Sequence, residues 1–91
     1  GYSFVNITAA APTTTVVKSG AGILHTIAIN TPAATAVVTI YDNTAASGTK
    51  IGTYTVAASP SPSSVLYDVA FANGLTIVTA TAAQDITVSF I

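Results

Sequence analysis

Ser and Thr hydroxyls aside, one imidazole, three carboxylates, two amines and four phenols are all that this 91-residue chain offers for acid–base, nucleophilic or metal chemistry. They are His25, Asp42, Asp68, Asp85, Lys18, Lys50, Tyr2, Tyr41, Tyr54 and Tyr67. Enzyme sites gather titratable groups whose surroundings tune them for proton transfer or attack. His25 would have to be the base of any hydrolytic triad. Its alternate neighbours Ile23, Ile27 and Ile29 are apolar, so the expectation is a neutral, hydrogen-bonded structural histidine on an apolar face or at its rim. No second His and no Cys exists to complete a transition-metal site.

The three acids come from separate segments, and no local spacing sets up a carboxylate pair for glycoside hydrolysis. The expectation is that Asp42 and Asp85 cap turns, and that Asp68 pairs with Lys18 or Lys50 or accepts backbone hydrogen bonds. Asp42 with Asn43 is too thin a ligand supply for calcium. Ser19-Gly20-Ala21-Gly22 lacks the Lys-Ser/Thr and the helix of a phosphate-binding loop, and reads as a turn. The tyrosines could form a sugar-stacking platform, with Tyr41 the best exposed by parity, although packing in a core or interface explains aromatic residues more simply. No catalytic, cofactor-binding or metal-binding residue is assigned, and a non-enzymatic protein without cofactors is expected.

Composition points the same way. Charged residues make up 5% of the chain, hydrophobic ones 51%, and the net charge is −1. Two lysines cannot neutralise the phosphates that nucleic-acid binding requires. Thr and Ser interrupt every apolar run well before the roughly 18 residues of a membrane span. A surface so poor in charge has little colloidal repulsion and suits permanent assembly. The length corresponds to one domain over residues 1–91. The chain opens at Gly1 without a basic region followed by an apolar one, which fits removal of either an initiator Met or a longer leader. Asn6-Ile7-Thr8 matches a glycosylation sequon but falls in an expected strand.

The elements that must position these residues are β-strands. Runs rich in β-branched and aromatic residues lie at 2–7, 14–18, 23–30, 36–42, 50–56, 64–69, 75–80 and 85–91. Turn signals separate them: Ala-Pro at 11–12, Ser-Gly-Ala-Gly at 19–22, Asn-Thr-Pro at 30–32, Asp-Asn to Gly48, the prolines at 60 and 62, and Asn73-Gly74. Alternation puts Ile23, His25, Ile27 and Ile29 on one face of the third strand, with Leu24, Thr26, Ala28 and Asn30 opposite. It buries Val38 and Ile40 in the fourth, groups Val65, Tyr67 and Val69 in the sixth, and groups Ile86, Val88 and Phe90 in the last. About eight short strands without helical periodicity predict an all-β, antiparallel β-sandwich or jelly roll, with an open barrel as the alternative.

Three stretches carry a resemblance. They are Lys18-Ser19-Gly20-Ala21-Gly22-Ile23-Leu24-His25 running to Ile29-Asn30-Thr31; Thr39-Ile40-Tyr41-Asp42-Asn43-Thr44 with Ser47-Gly48-Thr49; and Tyr67-Asp68-Val69-Ala70-Phe71 with Gly74-Leu75 and Asp85-Ile86-Thr87-Val88. Together they resemble small β-sandwich virion proteins of tailed bacteriophages, including those that decorate or cement the head. The resemblance implies a capsid-surface protein that binds the major capsid protein, as a trimer or other homo-oligomer, and it carries over no catalytic residue. A tail or neck accessory protein is a close variant. Low charge, Thr-rich strands and the sequon leave open an extracellular adhesin or filament subunit, and the tyrosines leave open a carbohydrate-binding module.

Imidazole is the one side-chain type that ordinarily titrates between about pH 5 and 8, and the chain has a single copy. The domain is therefore expected to be thermally robust and insensitive to pH across that window. Thermal midpoints recorded through it check this, and a shift of many degrees would contradict it.

Overall fold

A computed structural model describes residues 1–9, 12–57 and 61–91 of the chain. The described residues form eight strands and no helix: β1 (Ser3–Ala9), β2 (Thr13–Ser19), β3 (Gly22–Thr31), β4 (Val37–Asp42), β5 (Thr49–Thr55), β6 (Ser63–Phe71), β7 (Gly74–Ala80) and β8 (Gln84–Phe90). Each matches a run expected from composition to within two residues at either end.

The pairing follows a simple plan. β4 and β5 form a hairpin, and from it the chain runs back as a long double ribbon in which β3 pairs with β6, β2 with β7, and β1 with β8, all antiparallel. The ribbon is then rolled so that β8 also pairs with β3, and β7 with β4. Two four-stranded sheets result, β1-β8-β3-β6 and β2-β7-β4-β5. This is an eight-stranded jelly roll, a two-sheet antiparallel sandwich as expected. Every connection except β4–β5 passes from one sheet to the other. The Asn73-Gly74 signal therefore marks a crossing between sheets and not a hairpin, and the Ala-Pro signal falls partly on residues 10–11, outside the described set.

The two inner faces supply one apolar layer. Ile7, Leu24, Ile27, Ile29, Phe71, Ile86 and Val88 from the first sheet meet Val38, Ile40, Leu75 and Ile77 from the second, all buried. Val65, Tyr67, Val69 and Phe90 pack against this layer, as alternation in β6 and β8 predicts. Burial of each large aliphatic side chain here contributes roughly 1.5–3 kcal/mol relative to exposure.

Alternation fails in the first half of β3. Leu24 is fully buried, whereas Ile23 is 42% exposed. The cause is a bulge at His25: β8 passes directly from Phe90, opposite Leu24, to Ser89, opposite Thr26. On the other side β6 places both Tyr67 and Asp68 between Val69 and Leu66, opposite the same histidine, with Asp68 at φ 48°. The extra residue in β3 shifts that strand's side-chain phase, so Leu24 and Ile27 both point inward, while β6 keeps its alternation. The expected set of Ile23, His25, Ile27 and Ile29 is thus correct only for its second half.

Gly22 shows how tightly the corner beside this bulge is closed. A Cβ there would lie 2.2 Å from the Ile91 carbonyl oxygen and 2.7 Å from the Phe71 ring. That carbonyl accepts a 3.1 Å hydrogen bond from the Ile23 N–H, which ties the C-terminus to β3.

The shifted phase has a direct test in denaturant unfolding. Leu24→Ala should cost about 2–5 kcal/mol as a buried truncation. Ile23→Ala, one residue away, should cost less than about 1 kcal/mol. The reverse order would place His25 in a regular strand.

Candidate interaction face

The outer face of the sheet β1-β8-β3-β6 gathers most of the exposed large hydrophobic residues among those described. Tyr2, Phe4, Ile23, Leu66 and Ile91 are five of the six exposed large hydrophobic residues, at 53, 71, 42, 67 and 49% exposure, and all five have outward phase on this sheet. Val16, on the other sheet, is the sixth. Phe4 stands opposite Ser89, Ser89 opposite Thr26, and Thr26 opposite Leu66, a row that crosses all four strands. Ile91 exchanges backbone hydrogen bonds with Ile23 at the end of the same band. A concentration of exposed apolar side chains on one sheet face is a candidate interaction site.

His25 stands within the band. Its Nδ1–H donates to the Asp68 carboxylate, and the ring of Tyr2 stacks on it at 4.2 Å between centroids with an interplanar angle of 11°. The bulge creates this arrangement by placing the extra β3 residue against the left-handed residue of β6. The expectation that His25 is hydrogen-bonded is met, with Asp68 as its partner. Asp68 was expected to pair with Lys18 or Lys50 or to accept backbone hydrogen bonds; its partner is instead His25, which the β3 bulge sets opposite it.

The other end of the face is polar. The Asn6 amide donates to Asp85 Oδ1 at 2.7 Å and to the Ile86 carbonyl at 3.0 Å, while Asn30 donates to the same Asp85 oxygen at 3.2 Å and to Thr87 Oγ1 at 2.9 Å. Donation from the two amides, Asn6 first, holds the Asp85 carboxyl below the usual carboxylate range. Asp85 therefore braces three adjacent strands and does not cap a turn, which corrects the expectation. A glycan on Asn6 would take one of the two Nδ2 hydrogens that make these bonds.

Asp42 does cap a turn, although a distant one. Its carboxylate accepts from the backbone N–H groups of Ala72 at 3.0 Å, Asn73 at 2.8 Å and Gly74 at 3.4 Å, at the crossing from β6 to β7. These bonds, that from Ala72 first, hold the Asp42 carboxyl below its ordinary value. Asn43 completes the brace: its carbonyl accepts from Thr76 Oγ1 at 2.7 Å, and its side chain closes the β4–β5 loop through Thr44 N and Ser47 O. Segments that carry the resemblance are thus bonded to one another.

The tyrosines do not form a platform. Tyr54 and Tyr67 turn toward the core, where burial pushes both phenols up, and Tyr41 lies on the opposite sheet with Lys50 Nζ 6.0 Å above its ring. Tyr2 is more exposed than Tyr41, against expectation. A cavity of about 320 Å³ between β3, β5 and β6 is lined by Ile29, Tyr54, Val56 and Val65 with Ser61 and Ser63. Among the described residues, no group of three or more His, Cys, Asp or Glu side chains could hold a metal ion.

Comparison of the chain with protein-family models, with curated proteins and with solved structures gives no match. The face described here is therefore the basis for a functional reading. The apolar band was not legible in the sequence because the bulge decides which of Ile23 and Leu24 faces outward.

The acid response follows from the two lowered carboxyls. Their stabilisation is complete above the ordinary carboxyl value of 3.8 and is lost as pH falls through the lower folded value. Asp42→Asn should lower the thermal midpoint near neutral pH, and its difference from the parent should shrink toward about pH 2 as the parent carboxyl protonates. Thermal melts at the two ends of that range test it.

Proposed function

We propose that this chain is a non-enzymatic virion structural protein of a tailed bacteriophage, a head decoration or cement protein that stabilises the capsid by binding the major capsid protein at its surface. The observation that carries the reading is the concentration of five exposed large hydrophobic residues on one outer sheet face in a chain with five charges. The resemblance borne by the braced segments supports it.

A clamp of this kind needs a stiff body and a flat contact area. The jelly roll supplies the first, through a single apolar layer and the Asp42 brace across the sheet crossing. The outer face supplies the second: Phe4 and Leu66 offer apolar area without a flexible charged stem, so little side-chain entropy is lost on docking. The ionic groups on that face already have partners, Asp68 in His25 and Asp85 in Asn6 and Asn30, which offsets part of the cost of covering them. An extracellular filament or adhesin subunit is the second reading, favoured by the uncharged edge strand β1.

Two measurements test the proposal. Quantitative mass spectrometry of purified virions should find the chain in copy number comparable to the major capsid protein, and a count far below it would remove the cement reading. Capsids lacking the chain should rebind it, whereas Phe4→Asp and Leu66→Asp should lower affinity at least about tenfold, a loss of about 1.4 kcal/mol. Unchanged binding by both variants would move the contact to another face.

A further inference from the structure

The jelly roll has four edge strands, β1 and β6 in one sheet and β2 and β5 in the other. Each has a neighbouring strand on one side only, and an open strand edge is a template on which another chain can pair. Three of the four are interrupted. β2 slips register between Val16 and Lys18, so Val17 is an extra residue. β5 does so at Ile51, because Gly52 faces Ile40 while Lys50 faces Tyr41. β6 carries Tyr67 and Asp68 opposite the single residue His25. Each interruption has a charged residue at or next to it, Lys18, Lys50 and Asp68, so three of the chain's five charges lie at edge-strand bulges. Bulges and edge charges both prevent edge-to-edge pairing.

β1 has neither. It pairs with β8 without a break from Ser3 opposite Phe90 to Ala9 opposite Gln84, and Ser3–Ala9 contains no charge, no Gly and no Pro. We propose that β1 is a self-association strand through which two copies of this chain pair edge to edge about a two-fold axis. The occupant follows from the other edges: a continuous ladder needs two unbroken edges, and among the described strands only β1 provides one. The trimer that the resemblance implies would require β1 to meet an interrupted edge.

The register can also be derived. Directly opposed residues in an antiparallel pair point to the same face, so paired residue numbers must sum to an even value. The sum that engages all seven residues of β1 is set by Ser3 opposite Ala9 of the second copy. It puts Asn6 on the axis, Val5 opposite Ile7, and Phe4 opposite Thr8. Val5 and Ile7 are the inner-face residues of β1, so the apolar layer continues across the axis, and a β-branched pair is favourable there. Phe4, 71% exposed in the single chain, extends the outer apolar band toward the second copy. The inference does not depend on what the outer face binds.

The test uses the full chain and sedimentation equilibrium over a wide concentration range. The parent should approach twice its 9.0 kDa mass as concentration rises. Phe4→Lys combined with Thr8→Lys places like charges opposite each other across the axis and should raise the dissociation constant at least about tenfold. Phe4→Lys combined with Thr8→Glu places opposite charges there and should restore the dimer. All these side chains are exposed in the single chain, and circular dichroism with a thermal melt confirms that each variant is folded. Leu66→Lys, on β6, should leave the dimer intact. A parent that stays monomeric to millimolar concentration, or equal association by the two double variants, would overturn the proposal. A dimer disrupted by Leu66→Lys but not by the like-charged pair would do so as well.

Discussion

With no cysteine and only five charges, the chain relies on the contact between its two sheets. That contact draws inward side chains from both sheets, whose neighbouring strands are mostly far apart in sequence. Only the β4–β5 hairpin is local. Every other pairing closes a long loop of chain, an entropic cost that is recovered only when the apolar layer is complete. The low number of charges is consistent with this constraint, since an ionic side chain facing inward would have to be paired or neutralised.

Each charge has a definable place. Asp42 gathers the N–H groups of the β6–β7 crossing, and Asp85 holds the amides of β1 and β3 across β8. Lys18, Lys50 and Asp68 lie at or beside the bulges of three edge strands. The chain thus spends ionic groups on two tasks: satisfying backbone or amide donors where the fold turns or braces, and interrupting edges that would otherwise recruit another chain. The outer face of β1-β8-β3-β6 is left apolar at one end and internally hydrogen-bonded at the other.

Much of this fold was legible in the sequence, and the reason is physical. Strand-forming runs alternate with turn residues at short intervals, so the positions of all eight strands, the burial of Val38 and Ile40, and the inward set Ile86, Val88 and Phe90 follow from periodicity alone. The Asn43 loop and the turn at Gly20, with φ 92°, follow from turn chemistry. Periodicity cannot show where a strand gains a residue. The bulge at His25 therefore hid the inward phase of Leu24, the outward phase of Ile23, and the partner of Asp68, since all three depend on tertiary register. Asp85 was misread for a similar reason: Asn6 and Asn30 are far from it in sequence and become its neighbours only when β1 and β3 flank β8.

The same bulge links architecture to the interaction face. A regular β3 would turn Ile23 inward and Leu24 outward, whereas the extra residue at His25 lets the strand bury Leu24 and Ile27 while adding Ile23 to the outer band. It also sets His25 where Asp68 can engage its imidazole and Tyr2 can cover the ring, which fixes the residues immediately before β1. The N-terminal segment is thereby held along the sheet edge instead of extending freely into solvent. An edge strand held in place in this way loses less conformational entropy when a second strand pairs with it, so one irregularity at the centre of the sheet favours both its outer face and its open edge as contact surfaces.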